Sequence, residues 1–375
     1  MVWDAAFSPD GRRLATTGAD AKNAVRLWDL ATHRELLTLP AAGEFFVVLA
    51  FSTDGNILMT TTLSGIANLW RAPSWEEIEA AERDPSAKAA TPPGTVPPTG
   101  LVHPEALAST QWLEEHLRDP AVRIVDARFG QSESGFSSGH IPGAVRVSPL
   151  TDLRDTTRTN VHVAPAPAQF EALMSRLGIA RTNTVVVYDA EGGLWCARLW
   201  WLLRYYGHPD AKLLHGGLGK WRRENRPLED TVRQPVRSAF RAQAHPELRA
   251  TFDQVREAVG QTNIIILDAL PGDQFSGKQP VMPGLPAGHI PSAKNVPAPS
   301  NLASNGELLA PEKLAAMYGQ AGVTRSVPVI TYCGVGYYGA FTFYVLYQLG
   351  YENVRLYDGS WVEWISKGGA IETAP

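Results

Sequence analysis

The chain has 375 residues, 44% of them hydrophobic and 19% charged, with a net charge of −4 and no long run of like charges. That length exceeds one compact core and predicts two or three domains of about 150 residues each. The charge balance argues against a nucleic-acid surface or a disordered tail. No apolar run reaches the about 18 residues that span a bilayer, and the opening MVWDAAFSPDG has an acid where a secretory signal needs a basic and then an apolar stretch, so a cytoplasmic protein is expected.

The first 72 residues hold a short repeat. Phe7-Ser8-Pro9-Asp10-Gly11 returns as Phe51-Ser52-Thr53-Asp54-Gly55, and Val25-Arg26-Leu27-Trp28-Asp29 returns as Ala67-Asn68-Leu69-Trp70-Arg71. Asp-Gly turns between alternating strands such as Arg13-Leu14-Ala15-Thr16-Thr17 predict antiparallel hairpins. The repeat length and pattern resemble WD40 blades. About two blades fall short of the roughly four to eight that close a propeller. The segment therefore reads as part of a truncated ring or as blades packed on something else. It is expected to be a structural appendage, with a protein partner as the alternative role.

Residues 73–100 change character, with an acidic helix expected over Trp75-Glu76-Glu77-Ile78-Glu79-Ala80-Ala81-Glu82, followed by Thr91-Pro92-Pro93-Gly94-Thr95-Val96-Pro97-Pro98. Proline at that density resists helix and sheet and makes a semi-rigid spacer. Beyond it the chain repeats once more, on a larger scale. Ile124-Val125-Asp126-Ala127-Arg128, Gly139-His140-Ile141-Pro142-Gly143-Ala144, Val185-Val186-Val187-Tyr188-Asp189 and Leu213-Leu214-His215-Gly216-Gly217 appear in order. They recur as Ile266-Leu267-Asp268-Ala269, Gly288-His289-Ile290-Pro291-Ser292-Ala293, Val329-Ile330-Thr331-Tyr332-Cys333 and Leu356-Tyr357-Asp358-Gly359-Ser360. That order marks a duplicated domain, over residues 101–235 and 245–373. Short β-branched runs alternating with helical stretches such as 199–206 and 341–349 predict α/β domains, each a parallel sheet with helices on both faces.

Two cysteines, Cys196 and Cys333, stand outside any Cys-x-x-Cys pair, so neither a disulfide framework nor a zinc site is expected. Cys333 ends a buried strand and is followed by Gly334-Val335-Gly336-Tyr337-Tyr338-Gly339 and a helix. The C-terminal end of a parallel strand is where open α/β sheets bind ligands. Loop amides and a helix N-terminus there favour a thiolate and hold an anion. A small buried core cysteine is the plainer reading, and the position at a strand end before a glycine loop argues against it. Cys196, at a helix start, reads as packing.

The strand, the Cys-Gly-x-Gly loop, the preceding Gly-His-Ile-Pro and the following Tyr-Asp-Gly-Ser-Trp resemble the active half of a tandem rhodanese, and the likeness runs from about Leu101 to Ala374. The resemblance implies an inactive first domain, a catalytic second domain with Cys333 as nucleophile, and a site in the cleft between them. Asp189 stands at the first-domain position matching Cys333. By the same resemblance Arg198 is the candidate clamp for a donor carboxylate, with Arg204 weaker because six helical residues turn it about 120° away. His140, in its Gly-His-Ile-Pro-Gly turn, is a candidate to orient donor or proton. Thiosulfate-type members carry basic side chains after the cysteine, whereas 3-mercaptopyruvate-type members have Cys-Gly-x-Gly, so the uncharged Gly334 and Val335 favour a mercaptopyruvate-like donor.

Asp126 and Asp268 end strands and are expected to anchor backbone. Leu270 stands where the first copy has Arg128. Asp358 and Ser360, ahead of Trp361, read as a helix cap. The expected reaction is a double displacement from a small-molecule sulfur donor, 3-mercaptopyruvate or thiosulfate, through a Cys333 persulfide to a thiol, thioredoxin-like or cyanide acceptor, with no metal or cofactor. A phosphatase on the same fold needs an anion loop closing on arginine, and position 339 is glycine. A persulfide carrier or sensing module recruited through the WD40-like segment is the non-catalytic alternative.

Overall fold

The computed structural model describes residues 2–18, 24–40, 46–55, 57–62, 67–71, 100–129, 135–158, 162–232 and 234–373. The acidic helix expected over 75–82 and the proline run of 91–98 lie outside the described residues. The chain divides into two compact units, Met1–Thr91 and Pro92–Pro375.

Among the described residues the first unit is all β. Strands β1 (Val2–Phe7), β2 (Arg13–Gly18), β3 (Ala24–Asp29) and β4 (Arg34–Pro40) form one antiparallel meander, and β5 (Phe46–Phe51), β6 (Ile57–Thr62) and β7 (Ala67–Arg71) a second. The repeated sequence makes the same turn twice. Gly11 N–H donates to the Ser8 carbonyl and Gly55 N–H to that of Ser52, both at 2.9 Å, with φ of 67° and 73° at the two glycines. Ala15, Val25, Leu49 and Leu58 are buried together beneath the strands.

The second unit holds the duplication. In its first half, β8 (Leu107–Ala108), β9 (Val122–Asp126), β10 (Val145–Arg146), β11 (Thr184–Tyr188) and β12 (Ala211–Leu214) form a wholly parallel sheet in the order β10-β9-β11-β12-β8. In its second half, β13 (Ile265–Asp268), β14 (Lys294–Asn295), β15 (Val329–Tyr332) and β16 (Val354–Leu356) repeat it as β14-β13-β15-β16. Asp126 pairs with Tyr188 and Asp268 with Tyr332, so the two registers match. Asp189 and Cys333 therefore each follow the end of a central strand.

Side chains alternate across each strand with period two. On β11, Val185 and Val187 enter one core, whereas Val186 and Tyr188 enter another on the opposite face. The first of these cores is shared by both halves, running from Leu107 and Trp200 through to Phe343 and Leu356. At its centre the helix Ala197–Tyr205 meets the helix Tyr337–Gln348, with the Trp200 ring edge-on to Tyr344 at 4.8 Å and tilted on Tyr347 at 5.4 Å. The second helix is apolar nearly all round, as a helix enclosed on every side should be. No helix among the described residues is long and apolar enough to cross a membrane.

Because Trp200 is buried between the halves, Trp200→Ala is expected to cost about 3–5 kcal/mol. The check is a lowered urea midpoint together with faster proteolysis between the halves. An unchanged midpoint would mean that the shared core does not hold them together.

Candidate functional site

Cys333 is 3% exposed at the end of β15. Its N–H donates to Ser360 Oγ at 3.1 Å, and the Gly336 N–H donates to Cys333 Sγ at 3.1 Å. The loop thus turns an amide inward onto the sulfur. Gly336 takes φ of 87°, and a Cβ there would fall 2.5 Å from both Arg198 Nη1 and the Asp358 carbonyl, so glycine is required twice over. Ser360 also sits at positive φ, 53°, held by donating to the Tyr357 carbonyl at 2.9 Å. A strained non-glycine residue directly beneath the nucleophilic position is the kind of local cost that functional sites retain.

Asp358 and Ser360 do not form the expected helix cap. Gly359 precedes the helix Ser360–Ser366 without a side-chain cap. Ser360 supports Cys333, while the buried Asp358 carboxylate accepts from Ala164 N–H at 2.5 Å and from Arg249 Nε at 2.7 Å. The tight turn leaves the cap geometry unmet and aims that carboxylate at the other half.

Arg198 comes to this loop from the first half. It is fully buried: Nε donates to the Leu153 carbonyl at 3.0 Å, Nη2 to that of His162, and Nη1 to that of Gly336 at 3.4 Å. Asp358 lies 3.9 Å away. An open clamp was expected; what is found is a guanidinium spent on protein carbonyls. Arg204 faces elsewhere, over the Tyr347 ring at 4.2 Å and the Trp200 ring at 5.2 Å, as the helical angle required.

His140 is 0% exposed, with Nδ1 on the Phe136 carbonyl at 2.7 Å and its ring stacked on Phe136 at 3.9 Å. His289 repeats this against Phe275, at 2.7 and 3.7 Å. Both histidines have the surroundings of a shaped turn, bridged through their backbones to Glu229 and Glu372, and in each copy the ring braces its own loop.

The two tyrosines after Gly336 both reach the first half, and Tyr337 touches a second segment of it as well. Tyr337 donates to the Pro149 carbonyl at 2.5 Å, and has the Arg198 guanidinium 5.2 Å from its ring and the His162 ring edge-on at 6.5 Å. Arg154 belongs to that segment, and its Nε is enclosed without a hydrogen-bond partner. Burial, then Arg198 and Arg154, push His162 down to about 4, so it is neutral at physiological pH. Tyr338 packs on Trp195 at 5.7 Å, Tyr337 packs on the same ring at 5.5 Å, and Trp195 stacks on Phe129 at 4.0 Å. Sequence reasoning missed His162, Arg154 and Trp195, none of which lies in a repeated motif.

The first half closes its loop amides on a carboxylate at the matching strand end. The N–H groups of Glu191, Gly193, Trp195 and Cys196 donate to the Asp189 carboxylate at 2.8–3.0 Å. Burial pushes Glu191 up to about 7, helped by the charge of Asp189 beside it. Cys196 is buried, and burial followed by Asp189 pushes its thiol well up, as suits a packing residue. The strand-end aspartates anchor backbone as expected. Asp126 accepts from Arg128 N–H at 3.0 Å and pairs with its guanidinium at 2.7 Å. Asp268 accepts from Leu270 N–H at 2.8 Å, but with leucine in place of arginine it has no cation, Oδ2 is unpaired, and burial pushes the carboxyl up to about 7.

The Rhodanese-like domain family matches the chain twice, over residues 109–224 and 251–367. The chain is 35% identical over 276 residues to the sulfur carrier protein TtuD of Thermus thermophilus, covering 71% of this chain and 95% of that one. It is 37% identical over 262 residues to the 3-mercaptopyruvate sulfurtransferase of Escherichia coli K12, covering 68% and 92%. The crystal structure of SseA from Escherichia coli, described as a 3-mercaptopyruvate sulfotransferase, superposes with a TM-score of 0.63 at 33% identity, over 68% of this chain and 98% of that one.

Two outcomes follow from the buried carboxylates. Asp189→Ala leaves four loop amides without an acceptor and is expected to cost about 3–5 kcal/mol, read by urea denaturation; a loss under about 1 kcal/mol would show that water replaces the carboxylate. Asp268 ionises near pH 4 when unfolded but at about 7 when folded. Its stabilising contribution is thus complete below about pH 4 and lost as pH rises to about 7. The urea-midpoint advantage of Asp268→Asn should widen over that window, and an advantage that narrows would show the folded carboxyl to be ionised.

Proposed function

Because the chain belongs to the rhodanese family of sulfurtransferases, we propose that Cys333 is the nucleophile of a double displacement. The observation that carries this is the Gly336 amide aimed at Cys333 Sγ. The Cys333 thiolate bonds to the donor sulfur as that sulfur's bond to carbon breaks, the electron pair leaving with pyruvate as its enolate, which takes a proton from solvent. With thiosulfate the leaving group is sulfite. The outer sulfur of the persulfide is then attacked by a thiol, giving an acceptor persulfide, or by cyanide, giving thiocyanate, and the Cys333 thiolate is restored. Amides of 334–339 hold charge on sulfur in both steps, as an oxyanion hole does.

Donor preference is for 3-mercaptopyruvate. Gly334 and Val335 offer no cation to a dianion, while the unpaired Nε of Arg154 suits a single carboxylate. Arg198 acts by fixing the loop through the Gly336 carbonyl, with His140 and Arg204 in supporting positions farther off. The first unit is read as two WD40-type blades that can offer a protein-binding surface. A carrier reading is favoured by the relative named a sulfur carrier protein; it predicts a persulfide released only to a protein acceptor.

Mass measurement after incubation with each donor is the test. A one-sulfur gain located at Cys333 is expected, lost in Cys333→Ser and kept in Cys196→Ser, and its absence with every donor sinks the proposal. The specificity constant for 3-mercaptopyruvate should exceed that for thiosulfate by about 10-fold to 100-fold, the worth of one missing charge-assisted hydrogen bond. A preference for thiosulfate would reverse the donor assignment.

A further inference from the structure

The Cys333 loop presents two unlike sides, with the Trp195 ring between them, 5.5 Å from Tyr337 and 5.7 Å from Tyr338. On the Tyr337 side stand the engaged Arg198 and the neutral His162, with Arg154, whose Nε takes no hydrogen bond, as the cation suited to an anionic donor. On the Tyr338 side no cation of the loop intervenes. Tyr338, Trp195 and Phe129 are each half-buried and form a continuous ledge, with ring centroids 5.7 and 4.0 Å apart in succession. Glu191 belongs to the same loop as Trp195, both of them tied through their N–H groups to Asp189. Its Oε2 is enclosed and takes no hydrogen bond. Tyr338 lies within electrostatic reach of Cys333, Glu191 and Asp189 together. An unsatisfied carboxylate oxygen beside exposed ring faces attracts a cation and repels an anion.

We propose that this ledge is the acceptor side of the site, and that Glu191, Trp195 and Tyr338 select thiols bearing an ammonium group over thiols bearing a carboxylate. The inference rests on Cys333 carrying the persulfide and adds a direction of entry: donor along the cationic side, acceptor along the acidic aromatic side. The two half-reactions then use opposite electrostatics at one sulfur, which keeps the anionic donor from being retained where the acceptor must enter. Arg128 is also near Glu191, but its charge is taken up by Asp126 and the Gly139 carbonyl.

Glu191 is faced by Asp189 and Cys196 of its own loop, by Arg128 at the end of β9 and by Tyr338 of the opposing helix. With its carboxyl pushed up to about 7, the selectivity should rise as pH climbs through neutrality.

The experiment is single-turnover discharge of the intact, sulfur-loaded protein to cysteamine and to 3-mercaptopropionate, with each rate divided by the concentration of thiolate. Cysteamine is expected to be faster by about 10-fold, the worth of one partly shielded charge contact. Glu191→Gln and Trp195→Ala should each bring the ratio to within about threefold of unity. Because the readout is a ratio within each variant, a general loss of activity does not imitate it. A parental ratio near one, or a ratio unmoved by Glu191→Gln, overturns the proposal. Labelling of Cys333 by trimethylammonioethyl and sulfonatoethyl methanethiosulfonate reads the same side without any persulfide. If sulfur loading fails, the nucleophile assignment falls, while a fall in the cation-to-anion labelling ratio in Glu191→Gln still supports the ledge and an unchanged ratio removes it.

Discussion

Arg198 carries its charge with no access to water, and such a charge persists only where carbonyls and a carboxylate take the place of its solvent. Those partners come from both halves of the duplication: Leu153 and His162 from the first, Gly336 and Asp358 from the second. The Cys333 loop therefore has its shape only when the halves are docked. Asp358 reinforces this, since one carboxylate holds Ala164 and Arg249 while its own carbonyl closes on Gly336. The first half supplies the wall against which the Cys333 loop is set.

Duplication also explains what the first half has kept. An amide cradle at the end of a central strand has to be filled by an anion, because its N–H groups cannot be buried unpaired. In the second half the cradle faces Cys333, and in the first it closes on Asp189. A carboxylate that accepts four amides permanently leaves no place for a transferable sulfur. The matching strand end thus carries a thiol in one copy and an amide-bound carboxylate in the other, and the loop around that carboxylate packs Trp195 on Tyr338.

Much of this was legible in the sequence. The matched strings around Asp126 and Asp268, His140 and His289, Asp189 and Cys333 place their residues in equivalent registers, because a parallel sheet fixes what lies at each strand end. Even the lost arginine at Leu270 could be read in advance, and its consequence is a carboxyl without a cation. Buried charges were harder to read. Arg198 was found as a residue but not as a strut, and the His140 ring, named as a candidate through the family resemblance of its turn, braces its own loop as His289 does.

The sequence by itself determined the duplicated α/β architecture, the aspartate that stands at the Cys333 position in the first copy, and the thiol at a strand end before a glycine loop, since these depend on local pattern and spacing. Only the tertiary structure decided which side chains pack on the loop that follows that thiol. Arg154, His162, Trp195 and Glu191 are distant from Cys333 in the chain and belong to no repeated motif. Their charges act through space, and proximity between segments arises only once the two halves have buried their common core.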